Sequence, residues 1–231
     1  MAAGAGVTKE PGTDPFARAF HEAGFSVLAF DYRRLGESGG RPRQIIRISD
    51  QLADWDAAIE CARTLPEVDP EQLAIWGYSL SGGHVFPVAA HHPELAAAIA
   101  HAPLVDGPAA TVNAMRHQTP LASLRLSARG VLDAIGGMLG REPLLVPLAA
   151  QPGRVAVLST PDSLDGDRAL HGATRYPQWR QEATRIHVAF LERHLRPTHA
   201  RARNRSESPL VGSATSISAG ARDDGQPPAA G

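Results

Sequence analysis

Cysteine is nearly absent: Cys61 is the single one in 231 residues, which excludes an internal disulfide framework and the cysteine-rich metal sites. It falls within a helical pattern and reads as a small buried filler. No run of about 18 apolar residues occurs, and no secretory signal pattern opens the chain, so a soluble, cytoplasmic protein is expected. A basic face is lacking too, and the net charge is −1. That balance argues against nucleic acid or an anionic membrane surface as partner, and for a small molecule or peptide. Lysine is scarce, Lys9 being the only one among 23 basic residues, a compositional bias that carries no functional weight. Histidines and carboxylates show no metal-ligand spacing, so neither a metal nor another cofactor is expected.

What is present suffices for one sizeable core, since 43% of the residues are hydrophobic. Asp14-Pro15 before Phe16, Phe20 and Ala23, with Gly24 as stop, predicts a short helix with Asp14 as N-cap. Phe25 to Phe30 predicts a strand, ending in a polar, glycine-rich turn from Asp31 to Gly40, in which Asp31 and Arg33 read as an ion pair that fixes the turn. Ile45, Ile48, Leu52, Trp55, Ile59 and Ala62 recur at steps of three and four, the strongest amphipathic helix of the chain. Glu71 to Trp76 and Leu95 to Ala102 read as buried strands, with a helix from Gly82 to His92 between them. Trp55 and Trp76 fall on apolar faces and are core residues by default.

Strand and helix alternate, which implies a mostly parallel sheet with helices on both faces, an α/β fold. From 109 to 176 the pattern loosens: Leu121, Leu124, Ala128, Val131, Ile135 and Met138 mark a helix, and Val155 to Leu158 a short strand. This stretch reads as a cap over the edge of a core spanning 1–108. Pro177 to Leu195 is a last amphipathic helix with Trp179, Ala183, Ile186, Phe190 and Leu191 on its apolar side, closing a unit at 177–196. Residues 197–231 have no aromatic residue and few large aliphatics, so they read as a disordered tail.

The richest stretch is Ile75-Trp76-Gly77-Tyr78-Ser79-Leu80-Ser81-Gly82-Gly83, a G-x-S-x-S-G-G variant of the nucleophile elbow set between strand and helix. A serine hydroxyl is a weak nucleophile near neutral pH. Enzymes that use it hold it on a sharp turn where a base can take its proton. Ser81 occupies the position usually given to glycine. His84, five residues after Ser79 on the helix, reads as a helix-packing or cap-contacting residue. His91 and His92 suit the dipole at the helix C-terminus, and His187, His194 and His199 belong to no motif.

Three phrases together resemble the α/β-hydrolase superfamily: Phe30-Asp31-Tyr32-Arg33 with Gly36-Glu37-Ser38-Gly39-Gly40, Leu65-Pro66-Glu67-Val68-Asp69-Pro70, and Trp76 to Val85. The likeness is closer still to bacterial hydrolases of the dienelactone hydrolase, acetylxylan esterase and prolyl-peptidase-like groups, over about residues 1–196. The resemblance implies Ser79 as nucleophile and the Leu80 N–H as one oxyanion donor. It implies a second donor from the loop Met1 to Glu10, through Ala3 or Gly4, where His-Gly is commoner. It also implies that the strand before Met1 and the C-terminal strands are missing, so that the chain looks truncated at both ends and forms a marginal or aggregating monomer. The acid and the histidine, which follow the nucleophile in the family's chain order, are not recognisable. Ser208 to Val211 and Arg222 to Pro228 are faint candidates for the strand and turn of the acid, and Asp106 with His101 is a substitute pair.

Two functions follow from the resemblance. One is a serine hydrolase that cleaves an ester, thioester or peptide bond of a small molecule or peptide through an acyl-enzyme on Ser79. The other is a catalytically inactive remnant or binding protein of the same fold. A third, an interaction module acting through Arg201, Arg203 and Arg205, rests on composition alone.

Overall fold

Ile75 and Trp76 are neighbours in one strand, so their side chains leave it on opposite faces, and each anchors a separate apolar cluster. The computed structural model describes residues 1–170 and 177–195. In chain order, a single turn α1 (Lys9–Gly12) leads into α2 (Asp14–Glu22), and α3 (Ile48–Arg63) follows the glycine-rich turn. Next come β1 (Ala74–Tyr78), α4 (Leu80–His91) and β2 (Ala97–His101), then α5 (Gly107–Met115), α6 (Pro120–Met138), α7 (Ser163–Leu170) and α8 (Pro177–His194).

β1 and β2 pair in parallel, in register from Ala74 opposite Ala97 to Tyr78 opposite His101. On the other edge of β1, Ala2 makes a parallel bridge to Gly77, donating to Trp76 O at 3.2 Å and accepting from Tyr78 N at 3.3 Å. Met1 in turn accepts from Phe30 N at 3.2 Å and donates to Leu28 O at 2.7 Å. Four segments therefore lie side by side in the order 28–30, 1–2, β1, β2, which is not their order in the chain.

On one face Ile75 packs with Ala2, Tyr32, Leu35, Trp55, Ile59, Val85 and Val88, joining α3 and α4 to the sheet. On the other, Trp76 and Ile99 pack with Phe16 and Phe20 of α2, Phe25, Leu191 of α8 and Leu195 just beyond it. The helices thus cover both faces, as the alternation predicts. Trp55 and Trp76 are core residues, 1% and 3% exposed. Burying an aromatic side chain of this size contributes about 2–3 kcal/mol each, which makes the two tryptophans the chief anchors of their layers.

Several expectations are corrected. Phe25 to Phe30 forms no strand: among the described residues the bonds of its edge run to Met1, at Leu28 and Phe30. Thr13, not Asp14, is the N-cap of α2, and Asp14 sits one residue inside, bonded to Arg18 at 2.9 Å. The amphipathic helix begins at Ile48 rather than Ile45, since Gln44 has a φ of 61° and Arg47 is extended. The strand expected at Glu71 begins at Ala74, because Pro70–Gln72 forms a 3-10 turn capped by the Asp69 carboxylate. Val155 to Leu158 is reduced to one bridge between Ala149 and Leu158. Ile186 is exposed, whereas Val188 packs on the core. Cys61 is only half-buried. The side chain of Trp179 and the tail 197–231 lie outside the described residues.

Candidate active site

The sheet delivers three segments to one point at the C-terminal end of β1. Ser79 follows β1 directly with φ 55° and ψ −115°, the N-cap position of α4. A non-glycine residue in that region costs about 1–3 kcal/mol and persists only where its surroundings over-determine it. Here they do. The Ser79 N–H donates to His101 O at 3.0 Å, while Ser79 O accepts from Gly83 N at 3.0 Å and from Leu104 N at 2.9 Å.

The glycines around Ser79 are required by close backbone approach. A Cβ on Gly77 would lie 2.3 Å from Ser81 O, and one on Gly83 would lie 2.1 Å from Leu104 O. On the far side Gly4 touches Ser79: a Cβ there would sit 3.0 Å from Ser79 Cβ and 3.4 Å from Oγ. The structure therefore brings together Ser79, Leu80, Ala3 and Gly4. Among the described residues, nothing accepts from the backbone N–H of Leu80, Gly4 or Ala5. Leu80 opens a twelve-residue helix, whose positive end favours negative charge at this point.

Ser81, in the first turn of α4, is fully buried. It makes a short hydrogen bond to Ala3 O and lies 2.5 Å from the Tyr32 hydroxyl. Burial pushes the Tyr32 phenol well above its usual pKa, more than the bond to Ser81 lowers it, so the group keeps its proton. Sequence reasoning missed this contact, although a polar residue at an ordinarily glycine position is the signal that could have revealed it.

The substitute pair is not assembled. His101 lies among Phe16, Trp76, Tyr78 and His187, stacked on Trp76 at 5.9 Å and edge-on to His187 at 5.1 Å. Burial holds its pKa below the ordinary value. Asp106 is the N-cap of α5, its Oδ1 accepting from Ala109 N at 2.8 Å. Among the described residues, no hydrogen bond joins Ser79 Oγ, His101 and Asp106. Residues 208–211 and 222–228 lie outside the described part. His84 packs between α3 and α4, as expected, with Nε2 2.8 Å from Gln51 Oε1.

The glycine-rich turn is held differently from the expected Asp31–Arg33 pair. Asp31 accepts from Lys9 N at 2.6 Å and pairs with Lys9 Nζ at 3.5 Å, while Arg33 pairs with Asp54 at 2.6 Å. Asp31 is thereby tied to the loop that follows Gly4, because a buried carboxylate needs a positive and hydrogen-bonded partner. One group could hold a metal ion among the described residues: Asp56, His91 and His92 place ligand atoms within 4.8 Å of one another. It lies at the opposite end of α4, about 18 Å along the helix axis from Ser79. The His92 ring is already held between Asp56 at 2.9 Å and Glu94 at 3.0 Å. No helix among the described residues is long and apolar enough to cross a membrane.

The family model described as serine aminopeptidase, S33, matches residues 11–144. The quorum-quenching protein AidA of Acinetobacter baumannii is 43% identical over 170 residues, 74% of this chain and 55% of that protein. The thiohydrolase aneE of Aspergillus aculeatus is 29% identical over 185 residues, 77% of this chain and 53% of that one. The crystal structure of the α/β hydrolase GrgF from Penicillium sp. sh18 superposes with a TM-score of 0.55 at 26% identity, covering 75% of this chain and 55% of GrgF. The chain thus spans about half the length of the curated relatives it matches.

Proposed function

From the premise that the chain belongs to the S33 serine aminopeptidase family of α/β hydrolases, we propose that it is a serine hydrolase of small acyl substrates with Ser79 as nucleophile. The observation that carries the reading is the strained Ser79 turn with the Gly4 strip packed against it. Ser79 Oγ attacks the carbonyl carbon of an ester or related acyl bond as its proton passes to a general base. The tetrahedral oxygen takes up negative charge beside the N–H groups of Leu80 and the Ala3–Gly4 strip, at the positive end of α4. Collapse expels the leaving group, which takes a proton, and water then hydrolyses the acyl-serine. The thiohydrolase relatives set thioesters beside oxygen esters and peptides among the bonds to test.

A second reading, a binding protein of this fold without turnover, is favoured by one observation: His101 is boxed among aromatic rings and Asp106 caps a helix. The two readings separate on one experiment. Purified wild type and Ser79→Ala are exposed to a fluorophosphonate probe, with p-nitrophenyl acetate and a thioester analogue assayed alongside. Labelling and turnover of the wild type, with labelling abolished and turnover reduced by at least about 10³-fold in Ser79→Ala, are expected for a nucleophile. A folded wild type that neither labels nor turns over supports the binding reading and overturns the hydrolase.

A further inference from the structure

In the elbow pattern the position of Ser81 is ordinarily glycine because the chain there runs against its neighbours, and a hydroxyl in a fully buried place needs partners of its own. Ser81 has one proton. That proton is committed to Ala3 O, so the 2.5 Å contact with Tyr32 is completed by the phenol proton, and the chain runs Tyr32 to Ser81 to Ala3 O. Each member is fixed from elsewhere. Tyr32 is 2% exposed, its ring edge-on to Phe30 at 5.4 Å and to His84 at 6.2 Å. Ala3 is 2% exposed and lies between Ala2, which is bonded to β1, and Gly4, which touches Ser79.

The consequence is geometric. Leu80 and Ser81 are successive residues of the first turn of α4, so the residue beside one oxyanion donor also holds the carbonyl of the strip that supplies the other. We propose that Ser81, backed by Tyr32, is a positioning residue for the oxyanion strip: its hydroxyl fixes Ala3–Gly4 against Ser79 and so sets the spacing between the two donors. This rests on the reading of Ser79 as nucleophile. Glycine at position 81 would leave Ala3 O without its partner. The strip, held upstream by the Ala2 bridge to β1 and the Met1 bonds to residues 28–30, would then lose the bond that ties it to α4.

Two readouts are needed, one of chemistry and one of the strip itself. Ser81→Ala, Ser81→Gly and Tyr32→Phe are compared with wild type in the rate of fluorophosphonate labelling at Ser79 and in amide hydrogen exchange of peptides covering residues 2–7. Labelling is expected to slow by about 10- to 100-fold in the Ser81 variants, less than the loss of a whole donor and in the range of a misplaced one. In Tyr32→Phe, where Ser81 keeps its own bond to Ala3, it is expected to slow several-fold. Exchange should quicken over residues 2–7 but not over α3 or β2, a local change that general destabilisation does not produce. Labelling at the wild-type rate in a folded Ser81 variant overturns the positioning role, whatever the exchange shows. Should the wild type itself not label, the hydrolase reading fails by that fact and exchange alone decides: faster exchange over 2–7 keeps the anchoring role, and unchanged exchange overturns it. If the Ser81 variants do not fold, Tyr32→Phe is put through the same two comparisons: slowed labelling with faster exchange over 2–7 supports the positioning role, and wild-type labelling overturns it.

Discussion

Glycine and serine at the end of β1 divide the geometry of the turn between them. Gly77 and Gly83 let two backbone segments meet at distances no Cβ permits, and Ser79 takes the strained conformation those meetings enforce. Because the obstructing atoms are carbonyls rather than flexible side-chain ends, an added methyl group has to displace the backbone that clamps Ser79. Gly83→Ala is therefore expected to destabilise the fold by about 1–3 kcal/mol, the range of overpacking in a tight core. Gly130 lies within α6, where a Cβ would meet nothing within 4 Å. There the same substitution is expected to stabilise by about 0.4–1 kcal/mol, through the unfolded chain and helix propensity. Urea denaturation midpoints of the two variants test this, and equal shifts would show that the contact around Gly83 is looser than described.

One element that couples stability to pH is α8 where it lies on the sheet. His187 comes four residues after Ala183 and four before Leu191, so the helical period puts it on the apolar side. Its Nδ1 accepts from the Trp76 indole N–H at 3.3 Å, and Phe16 and His101 flank it. Burial, and then the neighbouring His101, push its pKa down to about 4 from 6.5. The sign follows from where the proton goes. Between pH 6.5 and about 4 the unfolded chain binds a proton that the folded protein refuses, so stability is full above 6.5 and falls as pH drops through that window. His101 is depressed in the same direction. His92 acts oppositely: Asp56 first, and then Glu94, raise its pKa, so its contribution is full below 6.5 and is lost as pH rises through the folded value. Denaturation free energies at pH 4.5, 5.5, 6.5 and 7.5 are expected to climb across the acid window in wild type and to climb less steeply in His187→Gln. An unchanged slope in that variant would assign the acid sensitivity to other groups, His101 and His84, both depressed by burial, among them. The apolar period of α8 was legible in the sequence, but His187 was not, because a histidine on an apolar face acquires meaning only from the distant Trp76 that it meets.

At the scale of the whole molecule, what was legible follows from how local its cause is. The order of β1, α4 and β2, the place of Ser79 and the helices on both faces could be read, because they rest on short-range period and on glycines adjacent in the chain. The pairing of Met1–Ala2 between β1 and residues 28–30 could not be fixed, since it joins segments more than 25 residues apart. α6 shows a third case. Its steps of three and four predict a helix, and Pro120–Met138 is one, but period names a stripe and not what covers it. Ala122 is the residue buried, while Leu121, Leu124, Val131, Ile135 and Met138 all stand in solvent, Met138 at 88% exposure. Val112 and Met115 of α5 are exposed as well. A set of this kind exceeds the scattered single apolar residues that a soluble surface ordinarily carries. The folded protein is therefore expected to enhance 1-anilinonaphthalene-8-sulfonate fluorescence at neutral pH and to scatter light increasingly as it is concentrated. The double variant Leu124→Glu, Val131→Glu should lose most of both signals while its unfolding free energy moves by no more than about 0.5 kcal/mol per site, as befits exposed positions. Dye binding unaffected by those substitutions would place the accessible apolar surface elsewhere in the molecule. A loss of several kcal/mol would mean that the outer stripe of α6 is packed after all.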